Sequence, residues 1–209
     1  MFGFTSGAAS REAAALPLFP LKTVLFPGGL LPLKVFEQRY VTMTKACLKD
    51  ETPFGVCLLT QGEEVAHAAT GPLSFASVGT RARIVAWDMP QLGILHIRTQ
   101  GLARFQVRSH AVAADGLVVG QVTDIPPEPT TALPEEFTPL AKLLAVLIER
   151  VGKENFPSDL LLDDASWVGY RLAEILPLPL SIKQSMLEIN DSEVRLTTLK
   201  RFLKQQELL

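Results

Sequence analysis

Apolar and polar positions follow two different periods along this chain, and the change falls near its middle. From Leu16 to about Asp124, short apolar runs alternate with turn signals, which predicts β-structure with many connections. The runs cover residues 16–19, 23–26, 30–35, 54–60, 78–87, 93–100, 105–112 and 117–123. Turn chemistry separates them at Pro20, Pro27-Gly28-Gly29, Gln61-Gly62, Thr70-Gly71-Pro72, Met89-Pro90-Gln91 and Asp115-Gly116. Arg81, Ala82, Arg83 and Ile84 alternate long polar with apolar side chains, as on a strand with one wetted face. One segment departs from this pattern: Phe36, Tyr40, Met43 and Cys47 recur at spacings that line one face of a helix over residues 36–49.

Ile125-Pro126-Pro127-Glu128-Pro129 then reads as a stiff connector, because its prolines lack the N–H that a ladder or helix needs. Beyond it the period is helical. Leu140, Leu143, Leu144, Leu147, Ile148 and Val151 share one face up to Gly152, and Val168, Leu172, Ile175 and Leu176 form a second stripe ending before Pro177. Ser181-Ile182-Lys183-Gln184 matches a capping box, and Asp191 is placed to cap a last helix carrying Val194, Leu199, Phe202 and Leu203. The expected organisation is a tail over residues 1–14, a β-rich unit over 15–124, a Pro-rich linker over 125–131 and a helical unit over 132–209. The fold class is α+β.

Composition narrows the function classes. The 209 residues suit one or two domains, and 47% hydrophobic content with 20% charged residues calls for a packed core and excludes wholesale disorder. A formal net charge of −2 argues against bulk electrostatic capture of nucleic acid, whose binding domains are typically strongly basic. Cys47 and Cys57, the two cysteines, are too few for a disulfide framework or a cysteine-based zinc site, and they fit a reducing, intracellular setting. The apolar start Ala13-Ala14-Ala15-Leu16 lacks a basic leader, and Pro17, Pro20 and Pro27 interrupt it. A soluble cytoplasmic chain with no membrane span is expected.

The opening Leu16-Pro17-Leu18-Phe19-Pro20-Leu21-Lys22-Thr23-Val24-Leu25-Phe26-Pro27-Gly28, followed by Leu31-Pro32-Leu33, resembles the start of the amino-terminal substrate-recognition domain of Lon-type ATP-dependent proteases. Later blocks are similar in the same order: Phe54-Gly55-Val56, Val78-Gly79-Thr80-Arg81-Ala82, Gly101-Leu102-Ala103-Arg104-Phe105, then Leu172 to Leu180, Lys183-Gln184, Leu187-Glu188, Asp191 and Arg195-Leu196. The likeness covers roughly residues 15–205. It implies a PUA-like β pseudo-barrel of about six strands with one helix, followed by a C-terminal α-helical bundle, and a role in holding polypeptide.

The modules that follow this domain in full-length proteases leave no trace in the motifs. Gly152-Lys153 lacks both the earlier glycine and the following hydroxyl of a phosphate-cradling loop, and the stretch after Gly152 is too short to house an ATPase or a peptidase. No serine has a lysine three residues later, and no G-x-S-x-G occurs. His67, His96 and His110 are scattered, and the doublets Glu63-Glu64, Glu135-Glu136 and Asp163-Asp164 point apart on any regular element, so loop solvation or helix N-terminal charge explains them. Cys47 and Cys57 sit in apolar patterns that fit small buried hydrophobes. No catalytic residue, metal site or cofactor is expected.

Two binding functions remain. The first is a non-catalytic polypeptide-binding module that recognises unfolded or hydrophobic segments by strand addition or in apolar grooves, with a separate protease as a further partner. Phe36, Glu37, Gln38, Arg39 and Tyr40 are its candidate contact residues; the structural alternative places both rings in the core and the polar trio in solvent. The second is RNA binding. Between Arg81 and His110 five arginines (Arg81, Arg83, Arg98, Arg104, Arg108) face one acid, Asp88, and Arg81, Arg83, Arg98 and Arg104 are the candidate phosphate contacts. Against it, aromatics for base stacking are sparse there, and residues 124–166 are strongly acidic and able to pair with those arginines.

Overall fold

The structure is a computed structural model that describes residues 13–62 and 74–207. Its first half holds six strands and one helix: β1 (Ala14–Leu21), β2 (Leu30–Val35), α1 (Gln38–Asp50), β3 (Phe54–Gln61), β4 (Ser74–Gln91), β5 (Ile94–Val112) and β6 (Val118–Asp124). The strand order is β2-β5-β4-β3-β1-β6, and β5 pairs with β6 as well, so five strands close into a ring and β2 attaches outside it. β1 and β3 run parallel, with β2 and α1 making the long crossover that such a pair requires.

Burial explains why these segments take these places. β3 is buried along Phe54 to Leu59, the continuous apolar run of a strand covered on both faces. On one side, Phe54 and Val56 pack with Phe19, Tyr40, Met43 and Cys47, so α1 covers that face of the sheet. Tyr40 stacks on Phe19 with ring centroids 3.9 Å apart. A second small cluster joins Leu16, Leu18, Cys57, Phe105, Val118 and Val122.

The second half is helical: α2 (Thr138–Val151), α3 (Ala165–Ile175), α4 (Leu180–Glu188) and α5 (Ser192–Gln205), with short 3-10 turns at Glu135–Phe137 and Lys153–Asn155. Its core, built on Leu140, Leu144, Ile148, Val168, Leu172, Leu196, Leu199 and Leu203, is continuous with Val24, Phe26, Leu58 and Val78 of the first half. The two halves therefore share one hydrophobic core. Asp164 caps α3 by accepting from the Trp167 N–H at 2.6 Å, and Asp191 caps α5 by accepting from Glu193 and Val194.

Several sequence expectations need correction. Residues 23–26 form no strand; they are a loop whose apolar side chains Val24, Leu25 and Phe26 are buried, with the Leu25 carbonyl accepting from the Thr80 hydroxyl at 2.6 Å. Residues 93–100 and 105–112 are one strand, β5, running through Gly101-Leu102-Ala103-Arg104. The turn expected at Met89-Pro90-Gln91 falls later, at Leu92-Gly93, where Gly93 has φ +83°. Phe36 precedes α1 and is exposed, so the buried stripe starts at Tyr40. Val151 and Val194 are exposed as well. The capping box fails because α4 begins one residue before Ser181, and the Gln184 side chain donates to the Val78 carbonyl instead. His67, Glu63-Glu64 and the turn at Thr70-Gly71-Pro72 lie outside the described residues.

Candidate functional site

The five residues singled out around the start of α1 divide sharply. Tyr40 is a core residue at 2% exposure, while Phe36 is 52% exposed. Arg39 pairs with Glu37 at 2.9 Å, donates to the Gly116 carbonyl at 2.9 Å and lies over the Tyr40 ring. Gln38 reaches Thr42, one turn on. Four of the five are thus engaged within the fold, and Phe36 alone offers its ring to solvent.

The arginines are spent in a similar way. Arg81 pairs with Asp124 at 2.8 Å, Arg83 donates to Gln100, Arg98 donates to the Glu154 carbonyl and Arg108 donates to Thr123. Arg104 is 3% exposed and donates to the Leu187 and Ile189 carbonyls, which ties β5 to the end of α4. A side chain so buried cannot meet a phosphate backbone, so the four arginines do not form one anionic-ligand face.

Arg104 leads instead to a site absent from the sequence reading. Glu128, in the middle of the Pro-rich stretch, has a side chain only 4% exposed. It accepts from both guanidinium nitrogens of Arg195, from Ser166 and from Tyr170, and Arg104 lies 3.5 Å away. Burial pushes the Glu128 carboxyl up, but the hydrogen bonds from Arg195, Ser166 and Tyr170 outweigh it and hold the group below its ordinary value. Burial also pushes the Tyr170 hydroxyl well above its ordinary value, with Glu128 adding to the shift and Arg195 opposing it. Tyr170 is therefore a neutral hydrogen-bond donor here. The Arg195 guanidinium also stacks on the Tyr170 ring at 3.9 Å.

These groups lie at the edge of a cleft of about 460 Å³ between the β ring and α3. Leu102, Ala103, Ile125, Pro127, Leu161 and Trp167 form its apolar walls, and Arg104, Glu128, Thr130, Asp164, Ser166 and Tyr170 are its polar members. Pro27 and Gly28 form one lip. Arg171, fully buried on α3, holds that lip by donating to the Pro27 carbonyl at 2.9 Å. Gly101 supports it from beneath, because a Cβ there would come within 2.2 Å of the Phe26 carbonyl oxygen. Pockets of this size and apolar character with a few fixed polar groups commonly bind ligands. No sequence signal marked this one, since its residues come from the loop before β2, from β5, from the Pro-rich stretch, and from α3 and the loop that leads into it.

Among the described residues, no group of three or more His, Cys, Asp or Glu side chains can hold a metal ion. His96 and His110 are exposed on β5, and both cysteines are buried, as their apolar neighbours suggested. None of the described helices is long and apolar enough to cross a membrane.

Comparison with known proteins agrees with the fold. Residues 15–205 match the family model of the ATP-dependent protease La (LON) substrate-binding domain. The chain belongs to this family. A solved structure of a Lon N-terminal domain protein from Xanthomonas campestris is 38% identical, with a TM-score of 0.71, and covers 90% of this chain and 98% of its own. The N-terminal domain of a Mycobacterium avium complex Lon protease shares the fold at a TM-score of 0.62 and 20% identity, over 89% of this chain and 96% of that one. Lon protease 2 of Myxococcus xanthus is 29% identical over 202 residues, which is 93% of this chain and 24% of that protein. The chain thus spans about a quarter of the length of that protease.

Proposed function

We propose that this chain is a non-catalytic polypeptide-binding module that captures unfolded or hydrophobic protein segments and delivers them to a separate protease. The observation that carries the reading is the family match over residues 15–205, which reaches a substrate-binding domain. The apolar cleft beside β5 supports it, as does the internal pairing of nearly every charged group near that cleft, which leaves a surface suited to holding rather than to acid–base work. In this reading the closed sheet is of the PUA type, residues 15–124 and 132–209 are its two units, the helices after the Pro-rich stretch form the bundle, and the chain works in the cytoplasm. RNA binding is not favoured, because Arg104 is buried and Arg81 and Arg98 are engaged by protein groups.

The test is co-elution. The full chain is mixed with a reduced, carboxymethylated protein and passed through a sizing column, with and without ATP, and the bound fraction is weighed by mass spectrometry. The expected result is a joint peak containing intact polypeptide, indifferent to ATP. Separate elution, cleavage of the polypeptide or consumption of ATP would overturn the proposal.

A further inference from the structure

One edge of β5 has a gap between its pairings with β2 and β6. The β2 register ends at Gln100, paired with Leu30, and the β6 register begins at Phe105, paired with Asp124. Between these points the loop takes over: Gly28 donates to the Gly101 carbonyl at 2.8 Å, Gly101 donates to Gly29 at 2.9 Å, and Ile125 donates to the Arg104 carbonyl at 2.9 Å. Neither β2 nor β6 pairs with Leu102 or Ala103. On its β4 side the same stretch carries a register shift, two residues between Gly101 and Arg104 standing opposite the single residue between Ala82 and Thr80. Such a bulge spreads the strand and frees backbone groups from the ladder. Ala103 is exposed, and Leu102 and Ala103 form part of the cleft wall facing Trp167 and Leu161.

We propose that this gap is a strand-addition site, in which an extended polypeptide segment free of acidic side chains pairs with the Leu102-Ala103 backbone and seats one large apolar side chain between Leu161 and Trp167. The inference rests on the polypeptide-binding reading and names its mode. An extended peptide satisfies exposed main-chain donors and acceptors at a sheet edge, while a pocket beside that edge selects a side chain. The charges decide between occupants. Glu128 is already held by Arg195 and Arg104, and Arg81 by Asp124, so an acidic segment finds no free cation among these groups, and the Asp164 carboxylate on the cleft wall, which accepts from the neutral Trp167 N–H, repels it further. A neutral backbone with an apolar side chain meets the cleft on its own terms. The lip at Pro27-Gly28 is anchored by Arg171, and α3 is anchored through Tyr170 to Glu128, so the walls are set before binding.

The test uses the full chain carrying Trp87→Phe, which replaces an exposed indole on β4 and leaves Trp167 as the sole tryptophan reporter. The probe is a blocked heptapeptide of threonine and valine with one central phenylalanine. Saturable change in Trp167 emission is expected. N-methylation of the two amides flanking the phenylalanine, or its replacement by serine, should weaken binding at least tenfold. Leu161→Asp, at a 46% exposed position, should weaken it at least fivefold with an unchanged unfolding curve, while Val146→Ser, an equally exposed valine on α2, should not. Equal binding of the N-methylated peptide, or no effect of Leu161→Asp, overturns the strand-addition site and leaves polypeptide binding standing. Concentration-dependent dimerisation abolished by Leu161→Asp, with no peptide bound, overturns it in favour of a second copy. Failure to bind this peptide and unfolded protein alike overturns both readings.

Discussion

Arg195 on α5 grips the carboxylate of Glu128 through two of its guanidinium nitrogens, and the two side chains are 0% and 4% exposed. The pair joins the last helix to the Pro-rich stretch that follows β6. Arg195 also donates to the Met186 and Ile189 carbonyls, so one guanidinium ties three separate segments together. Such a contact is costly to desolvate and costlier to break, because either partner alone is a buried charge without compensation.

Glu128→Ala is therefore expected to lower the free energy of unfolding by about 3–5 kcal/mol, the usual cost of removing one member of a buried pair. It leaves Arg195 and Arg104 facing each other without the carboxylate between them. Denaturant titration followed by far-UV circular dichroism checks this. A change under about 1 kcal/mol, typical of exposed ion pairs, would show that the contact is not the buried link described.

The same carboxylate makes a pH prediction. Its folded-state pKa lies below the ordinary value of 4.5, so the unfolded chain binds its proton first as pH falls. The stabilisation is thus fully present above the unfolded value and is lost as pH drops through the depressed folded value. The stability gap between the native chain and Glu128→Gln should be constant from neutral pH to about 5 and should shrink below about 4. Unfolding curves at stepped pH measure it; a gap that widens on acidification would contradict the assignment.

Much of this fold was legible in the sequence and its decisive contacts were not. Buried runs such as Phe54 to Leu59, the stripe Tyr40-Met43-Cys47 and the cap Asp191 follow from period and local hydrogen bonding, and those signals survive folding. Residues 23–26 misled because a buried loop and a buried strand share the same apolar composition. Glu128 read as part of a stiff connector and Arg104 as a candidate phosphate contact, and no local pattern singled out Arg171 or Arg195 as buried. Their burial depends on partners 24 to 144 positions away, a distance that no local period encodes. The cleft was invisible for the same reason.

Both thiols should be inert in the folded chain. Burial pushes Cys57 up to about 12, and burial raises Cys47 too, helped by the Asp50 charge and opposed by a hydrogen bond to Thr52. Titration with a chromogenic disulfide at pH 8 should find no fast-reacting thiol in the native protein and two in denaturant. A rapid native thiol would contradict the packing around α1 and β3.

Arg104→Ala should act on stability and not on nucleic acid. It removes a buried guanidinium and strips the Leu187 and Ile189 carbonyls of a donor, for a loss of about 1–3 kcal/mol or more. Gel-shift assays with single- and double-stranded RNA should show no retardation by the native chain even at low salt. A salt-sensitive shift weakened by Arg81→Ala and Arg83→Ala would contradict this.

Holding polypeptide without altering it is the central claim, and fluorescence anisotropy addresses it most directly. One labelled protein is titrated with the full chain in two forms, native and permanently unfolded by reduction and alkylation. Saturable binding of the unfolded form alone is the predicted result; equal anisotropy changes for both forms, or none for either, would contradict it.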